Sequence, residues 1–214
     1  MKVEVGESLG YSYLRHVQQC WLVQTNWKAS EHWVKQLVDD ELEREFVSIR
    51  ERLRESFGVD LGGKVECSQF LKQAEIDVVG VGLDGGIHAV EIAFHEGELQ
   101  YTVPGGTARN VLKKMLRAML ILRTYHPENA GTHICFASPK VNPKTQKSLE
   151  DAFGWLRREY RAIDWQLLTN NDFSDEFLRP LWERARQVKD TSELFVRSLQ
   201  LLELCGSVNL GKEN

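Results

Sequence analysis

Glu75-Ile76-Asp77-Val78-Val79-Gly80-Val81, then Leu83-Asp84-Gly85-Gly86, then Ile87-His88-Ala89-Val90-Glu91-Ile92-Ala93-Phe94-His95 is the stretch that decides the fold. Both outer segments repeat with period two, and the Asp-Gly-Gly between them is hairpin chemistry. Loop length then sets which side chains share a face, because a slip of one residue turns every side chain over. With a two-residue turn at Asp84-Gly85, Asp77 faces Ile92, and Asp77 and Glu91 lie on opposite faces. With a three-residue loop, Leu83 pairs with Ile87, Val79 with Glu91, Asp77 with Ala93 and Glu75 with His95. The second register is the more consistent. It collects Ile76, Val78, Val90, Ile92 and Phe94 on one apolar face, and Glu75, Asp77, Glu91 and His95 on the other. The first register buries one acid among apolar side chains, at a cost of several kcal/mol unless it is paired.

Outward from the hairpin, strands and helices alternate. Thr107 caps a helix that runs to about residue 124, followed by strand 133–137, helix 143–160 and strand 163–168. This order adds parallel strands to a sheet that began antiparallel. Upstream, apolar residues at helical spacing run through residues 7–24, the stretch 24–28 breaks them, and Ser30 caps a long helix over 31–57. Gly58 ends that helix. Residues 64–72 show no readable period. Helices at 175–188 and 192–205 close the chain. The expectation is one α/β domain over 1–214, with a mixed sheet flanked by helices, a core at about 30–170 and a C-terminal helical extension at about 174–206.

In the second register Asp77 and Glu91 are diagonal neighbours, about 7–8 Å apart at the backbone. Their oxygens can converge on a hard cation such as magnesium. The helix that follows carries Arg109, Lys113, Lys114 and Arg117. Arg109, Lys113 and Arg117 form an i, i+4 strip, with Val111, Met115, Ala118, Met119 and Leu122 across from them. Either Lys113 or Lys114 can lean over the hairpin.

Asp77, followed after a turn by Glu91-Ile92-Ala93, resembles the paired-strand core of the PD-(D/E)XK nuclease superfamily. The resemblance covers about residues 30–170 and implies a restriction-endonuclease-like fold. It also implies metal-dependent phosphodiester hydrolysis, with DNA as the first substrate expected. Asp77 and Glu91 become metal-binding catalytic acids, Ile92 offers its backbone carbonyl to the metal, and Mg2+ is the cofactor with Mn2+ as a substitute. The sequence departs from the family at Ala93, which stands where the family has lysine. Some members supply the lysine from the following helix, which makes Lys113 and Lys114 the catalytic candidates; others have lost catalysis and keep the fold for binding nucleic acid or protein. Glu75 and His95 are accessory candidates for orienting water or completing the metal shell. Arg109 and Arg117 are candidates for holding nucleic acid.

Composition bounds these expectations. The chain has 214 residues, 27 Lys and Arg, 31 Asp and Glu, and a formal charge of -4, which argues against general coating of nucleic acid but leaves room for a local basic strip. The apolar run 115–122 contains Arg117 and is too short for a membrane span. The first seven residues lack the apolar stretch of a secretory signal. Cys20, Cys67, Cys135 and Cys205 are scattered with no C-x-x-C pair, so reduced thiols, no zinc site and a cytoplasmic location are expected. Gly105-Gly106-Thr107 is read as a capped turn, since it lacks P-loop spacing. The apolar C-terminal helix, with Leu194, Phe195, Leu199, Leu201, Leu202 and Leu204, either folds back or forms a homodimer surface.

Overall fold

A computed structural model describes residues 4–61, 65–94, 99, 106–126, 131–189 and 191–204. Its hairpin strands, β2 (Glu75–Val81) and β3 (Ile87–Ile92), pair antiparallel, with Val81 opposite Ile87 and Val78 opposite Val90. The connection is therefore residues 82–86, longer than the three-residue loop expected. The Gly82 N–H donates to the Gly86 carbonyl at 2.8 Å, and the Gly86 N–H donates to Asp84 Oδ1 at 2.9 Å. Gly85 takes φ +83°, open to glycine at little cost. The pairing is displaced from the expected register by two residues. An even displacement keeps Asp77, Val78, Val90 and Glu91 on the faces expected for them, whereas Ile76, expected beside Val78, packs in the larger core with Val79 and Ala89.

The sheet has five strands in the order β1-β2-β3-β4-β5. β4 (Thr132–Ser138) and β5 (Ile163–Thr169) add parallel to β3, through α5 (Gly106–Tyr125) and α6 (Pro143–Glu159). The α/β class and the parallel additions agree with the sequence. Thr107 lies one residue inside α5, so it does not cap that helix.

The N-terminal third differs from expectation. α1 spans Val5–His16, the chain turns through Gln19 at φ 56°, and Leu22–Lys28 forms β1, antiparallel to β2 at the sheet edge. The sheet thus begins ahead of the expected core boundary at residue 30. The long helix expected over 31–57 is two helices, α2 (Glu31–Leu37) and α3 (Asp40–Phe57). Val38 between them is extended (ψ 108°), and Asp39 caps α3 by accepting from the Leu42 N–H at 2.8 Å. Three acids in the first turn of α3 suit the positive end of its dipole. Gly58, at φ 61°, closes it. The unreadable segment contains α4 (Cys67–Lys72).

Helices cover both faces of the sheet, so no face is left polar along its length. Val79, Ile87 and Ala89 lie in the larger core with α2 to α6, which includes Val34, Phe46, Phe70, Met115 and Phe153. Val78 and Val90 lie in the second core with α1 and the C-terminal elements. α1 approaches closely because Gly10 has no side chain: a β-carbon there would sit 2.9 Å from Val78 Cγ2. The helix expected at 175–188 is a π-helical turn (Phe173–Leu178) running into α7 (Arg179–Ala185), and Phe177 stacks on Tyr13 of α1 with ring centroids 3.9 Å apart. α8 spans Leu194–Leu204; its Phe195 packs against the second core, while Leu194, Leu201 and Leu202 are exposed. Among the described residues, Cys20, Cys67 and Cys135 are buried free thiols, and no helix is long and apolar enough to cross a membrane.

Candidate functional site

The ladder between β2 and β3 is paired as far as Val78 and Val90. One step further in the same register, Asp77 and Glu91 stand directly opposite each other, where a diagonal relationship was expected. Main-chain pairing gives way there to a side chain, as Asp77 Oδ2 accepts the Ile92 N–H at 2.9 Å. Both acids project to the α5 side of the sheet, the side that also receives Val79 and Ala89.

α5 crosses over this point and settles which lysine reaches it. Lys114 Nζ is 2.8 Å from Glu91 Oε2 and 3.8 Å from Asp77 Oδ2. Lys113, next to it on the helix and half-buried, forms neither ion pair. Arg117, one turn below, is not part of an outward basic strip. Its guanidinium lies 4.6 Å from the centre of the Phe70 ring, and its Nε is buried without a hydrogen-bond partner. Burial lowers the Arg117 pKa, and the field of Glu91 opposes that shift. Arg109 is exposed two turns above, beside Phe57, Leu112 and Asp151. Arg109 and Arg117 therefore do not share one surface.

Burial differs sharply across the site. The Glu91 side chain is 1% exposed, Asp77 18% and Lys114 44%, so access from solvent runs past Asp77 and Lys114. Burial and the neighbouring Asp77 raise the Glu91 carboxyl; Lys114 pulls it down but offsets only part of the rise, and the group is pushed up to about 8. Its Oε1 is buried with no hydrogen-bond partner. A buried carboxylate oxygen with nothing to accept is costly unless something fills the position.

The other expected residues separate from this cluster. Glu75 pairs with Lys28 of β1 at 3.2 Å. His95 lies outside the described residues. Ala93 was expected to face Asp77. Instead its N–H donates to the Ala137 carbonyl, and its own carbonyl accepts from Ser138 Oγ at 3.0 Å, which ties it to β4. Ser138, buried at the end of β4, was not singled out from sequence; a hydroxyl closing a strand of apolar residues is the one signal it offers. Ile92 contributes its N–H to Asp77, an arrangement that the expected role of its carbonyl did not include.

Among the described residues, no group of three or more His, Cys, Asp or Glu side chains is arranged to hold a metal ion. The local donor set is two carboxylates, suited to a hard cation that keeps much of its water. No family model, curated protein or solved structure matches the chain.

Proposed function

We propose that the protein is a metal-dependent phosphodiesterase of restriction-endonuclease-like type, a nuclease acting on DNA, with Asp77, Glu91 and Lys114 as its reactive groups. One observation carries this assignment: two carboxylates face each other at a sheet end under a lysine from the next helix, and the buried one has an oxygen without a partner.

The residues fit a magnesium ion. Glu91 Oε1 is an unfilled hard acceptor, Asp77 stands opposite, and the Ile92 carbonyl is a further oxygen donor of the same strand. A bound magnesium supplies Lewis-acid polarisation of a phosphoryl oxygen and a water of lowered pKa. The side chains do the rest. Asp77, held by the Ile92 N–H, keeps its orientation. Lys114 is exposed enough to swing from Glu91 toward a phosphate, where its ammonium balances the charge that grows during in-line displacement. Its place on α5 compensates for Ala93 on the strand. Arg109, exposed nearer the start of α5, is placed to meet a backbone phosphate.

A second assignment, a nuclease-fold module that binds nucleic acid or protein without cutting, is favoured by Ala93 and by the neutralisation of the acids by Lys114. Cleavage of plasmid and single-stranded DNA with Mg2+ or Mn2+ separates the two. Activity is expected in wild type and its loss in Asp77→Ala, Glu91→Ala and Lys114→Ala. No cleavage by wild type, or cleavage that survives these changes, removes the nuclease assignment.

A further inference from the structure

Charge is sorted along this chain as well as nearly balanced. From Gly106 to His126 and from Gly131 to Leu149 there are eight Lys and Arg and no Asp or Glu; all 31 acids lie elsewhere. These stretches take in α5, β4 and the first two turns of α6. Arg117 of this set is turned inward and Arg123 pairs with Glu45. Arg109, Lys140, Lys144 and Lys147 are exposed. Among the described residues none of these four is in an ion pair, although Asp151 stands one turn beyond Lys147.

The fold brings the four to the end of the sheet that holds the two acids. Ser138 closes β4 and donates to the carbonyl of Ala93, two residues past Glu91, at 3.0 Å. Lys140 follows two residues later. The Val141 N–H donates to Asn170 Oδ1 at 2.8 Å, and Asn142 caps α6 by accepting from the Thr145 N–H at 2.9 Å, so the connection is fixed. Lys144 and Lys147 each lie four residues before Ser148 and Asp151, on the same helical rows. Ser148 and Asp151 line a cavity of about 240 Å³ together with Arg109, Leu112 and Phe57. Lys144 and Lys147 therefore border the groove between α6 and α5, with Arg109 on its other wall. From Arg109, α5 leads to Lys114 beside Glu91.

This placement does nothing for the helices themselves. Lys144 and Arg109 stand in the first turns of α6 and α5, at the positive end of each dipole, with no acid in either turn. α3 carries three acids at the equivalent place. Cations at a helix start are unfavourable until an anion meets them. We infer that Lys140, Lys144 and Lys147 form a phosphate-binding row that, with Arg109 across the groove, holds the backbone of a DNA strand leading to Lys114. The row rests on the nuclease assignment for its occupant. A sugar–phosphate backbone is a polyanion, and flexible ammonium groups spaced along a helix can follow it without reading its sequence. Each lysine that neutralises a phosphate also releases a counterion. Glu150 and Asp151 end the row by repelling the next phosphate.

The test is fluorescence anisotropy of a labelled DNA oligonucleotide, single-stranded and as duplex, titrated with the full chain in EDTA over a range of salt. EDTA keeps binding separate from cleavage. Wild type is expected to bind with an affinity that falls as salt rises. Lys144→Gln with Lys147→Gln should weaken binding about tenfold or more at low salt. It should also flatten the plot of log affinity against log salt by about 0.7–0.9 per lysine removed. Lys140→Gln, outside the helix, repeats the measurement independently, and Lys189→Gln, exposed beside α1, should change neither quantity. Thermal melting reports that each variant folds. Lysine-dependent DNA binding without cleavage in Mg2+ removes the nuclease assignment and leaves the row standing. Cleavage by a protein whose lysine variants keep the wild-type affinity and slope overturns the row alone. No binding of DNA by folded wild type, or tighter binding of polyglutamate than of DNA, also overturns it.

Discussion

Lys114 of α5 stands 2.8 Å from Glu91 of β3, although 22 residues and the whole approach to the helix separate them in the chain. The acid is almost wholly buried and the lysine nearly half exposed, so the pair joins interior to surface. A buried acid met by a partly solvated lysine is stabilised incompletely, and its chemistry stays sensitive to pH and to any cation that can replace the lysine.

The first consequence is a pH dependence of stability. Glu91 is raised in the folded state from 4.5 to about 8, so the folded chain holds a proton there that the unfolded chain has released. The stabilising contribution is complete below the unfolded value and is lost as pH rises through about 8. Urea denaturation between pH 5 and pH 9 should show stability falling across that window by up to a few kcal/mol. Glu91→Gln should flatten the fall and be the more stable protein at pH 9. An identical slope in both proteins would rule out Glu91 as its source.

Divalent cations should act on the same group in the opposite direction. Filling the position at Glu91 Oε1 favours the carboxylate, so Mg2+ or Mn2+ binding should release a proton near pH 7. Calorimetry in buffers of different ionisation enthalpy measures that release, and Glu91→Gln should eliminate it.

The two lysines of α5 should differ in effect. Lys114→Met removes the only lysine that ion-pairs with Glu91 among the described residues, and should raise the Glu91 pKa further and reduce DNA cleavage by about 100-fold or more, the scale seen on removing one charge-stabilising donor. Lys113→Met should change cleavage by less than about threefold. Initial rates and the pH midpoint of the stability curve are the readouts.

Helix boundaries supply a test free of any function. Asp39→Ala removes the side-chain bond to the Leu42 N–H and should cost about 1 kcal/mol. Ser30 occupies the cap position of α2 but makes no capping bond with its side chain, and Ser30→Ala should stay within about 0.5 kcal/mol. Thermal denaturation of the two variants side by side decides this.

Packing at Gly10 can be tested by a double-mutant cycle. Gly10→Ala places a methyl 2.9 Å from Val78 Cγ2 and should destabilise by about 1–3 kcal/mol through overpacking. Combining it with Val78→Ala should recover part of that loss.

Much of the sheet was legible because its buried strands are short apolar runs set off by turn residues and by strong helical periods at α5 and α6. The hairpin faces were legible at Val78, Val90 and Ile92, whose alternation fixes parity; Ile76, at the far end of β2, packs in the other core. The hairpin register was not legible: Gly82 and Gly86 extend the loop through a hydrogen bond that depends on the turn closing in space. β1 was hidden because Trp21 and Leu22 continue the helical spacing of α1, although Val23, Thr25 and Trp27 alternate as a strand should. The break at Val38 was readable in principle from the acids that follow it. For the site, Asp77, Glu91 and the choice between two lysines came from sequence. Choosing Lys114, turning Arg117 inward and separating Glu75 toward Lys28 required tertiary packing, which no local pattern encodes.

The five-residue tip of the hairpin carries one more implication. Length at that tip comes in steps of two as far as the acids are concerned. A pair of residues added between Gly82 and Gly86 lets β3 slide while Glu91 stays beneath α5; a single added residue, if taken up by the strand, sends Glu91 to the side of α1 and brings Val90 up beside Lys114. Selection acting on this protein would therefore weigh insertions that reach the strand by parity before size.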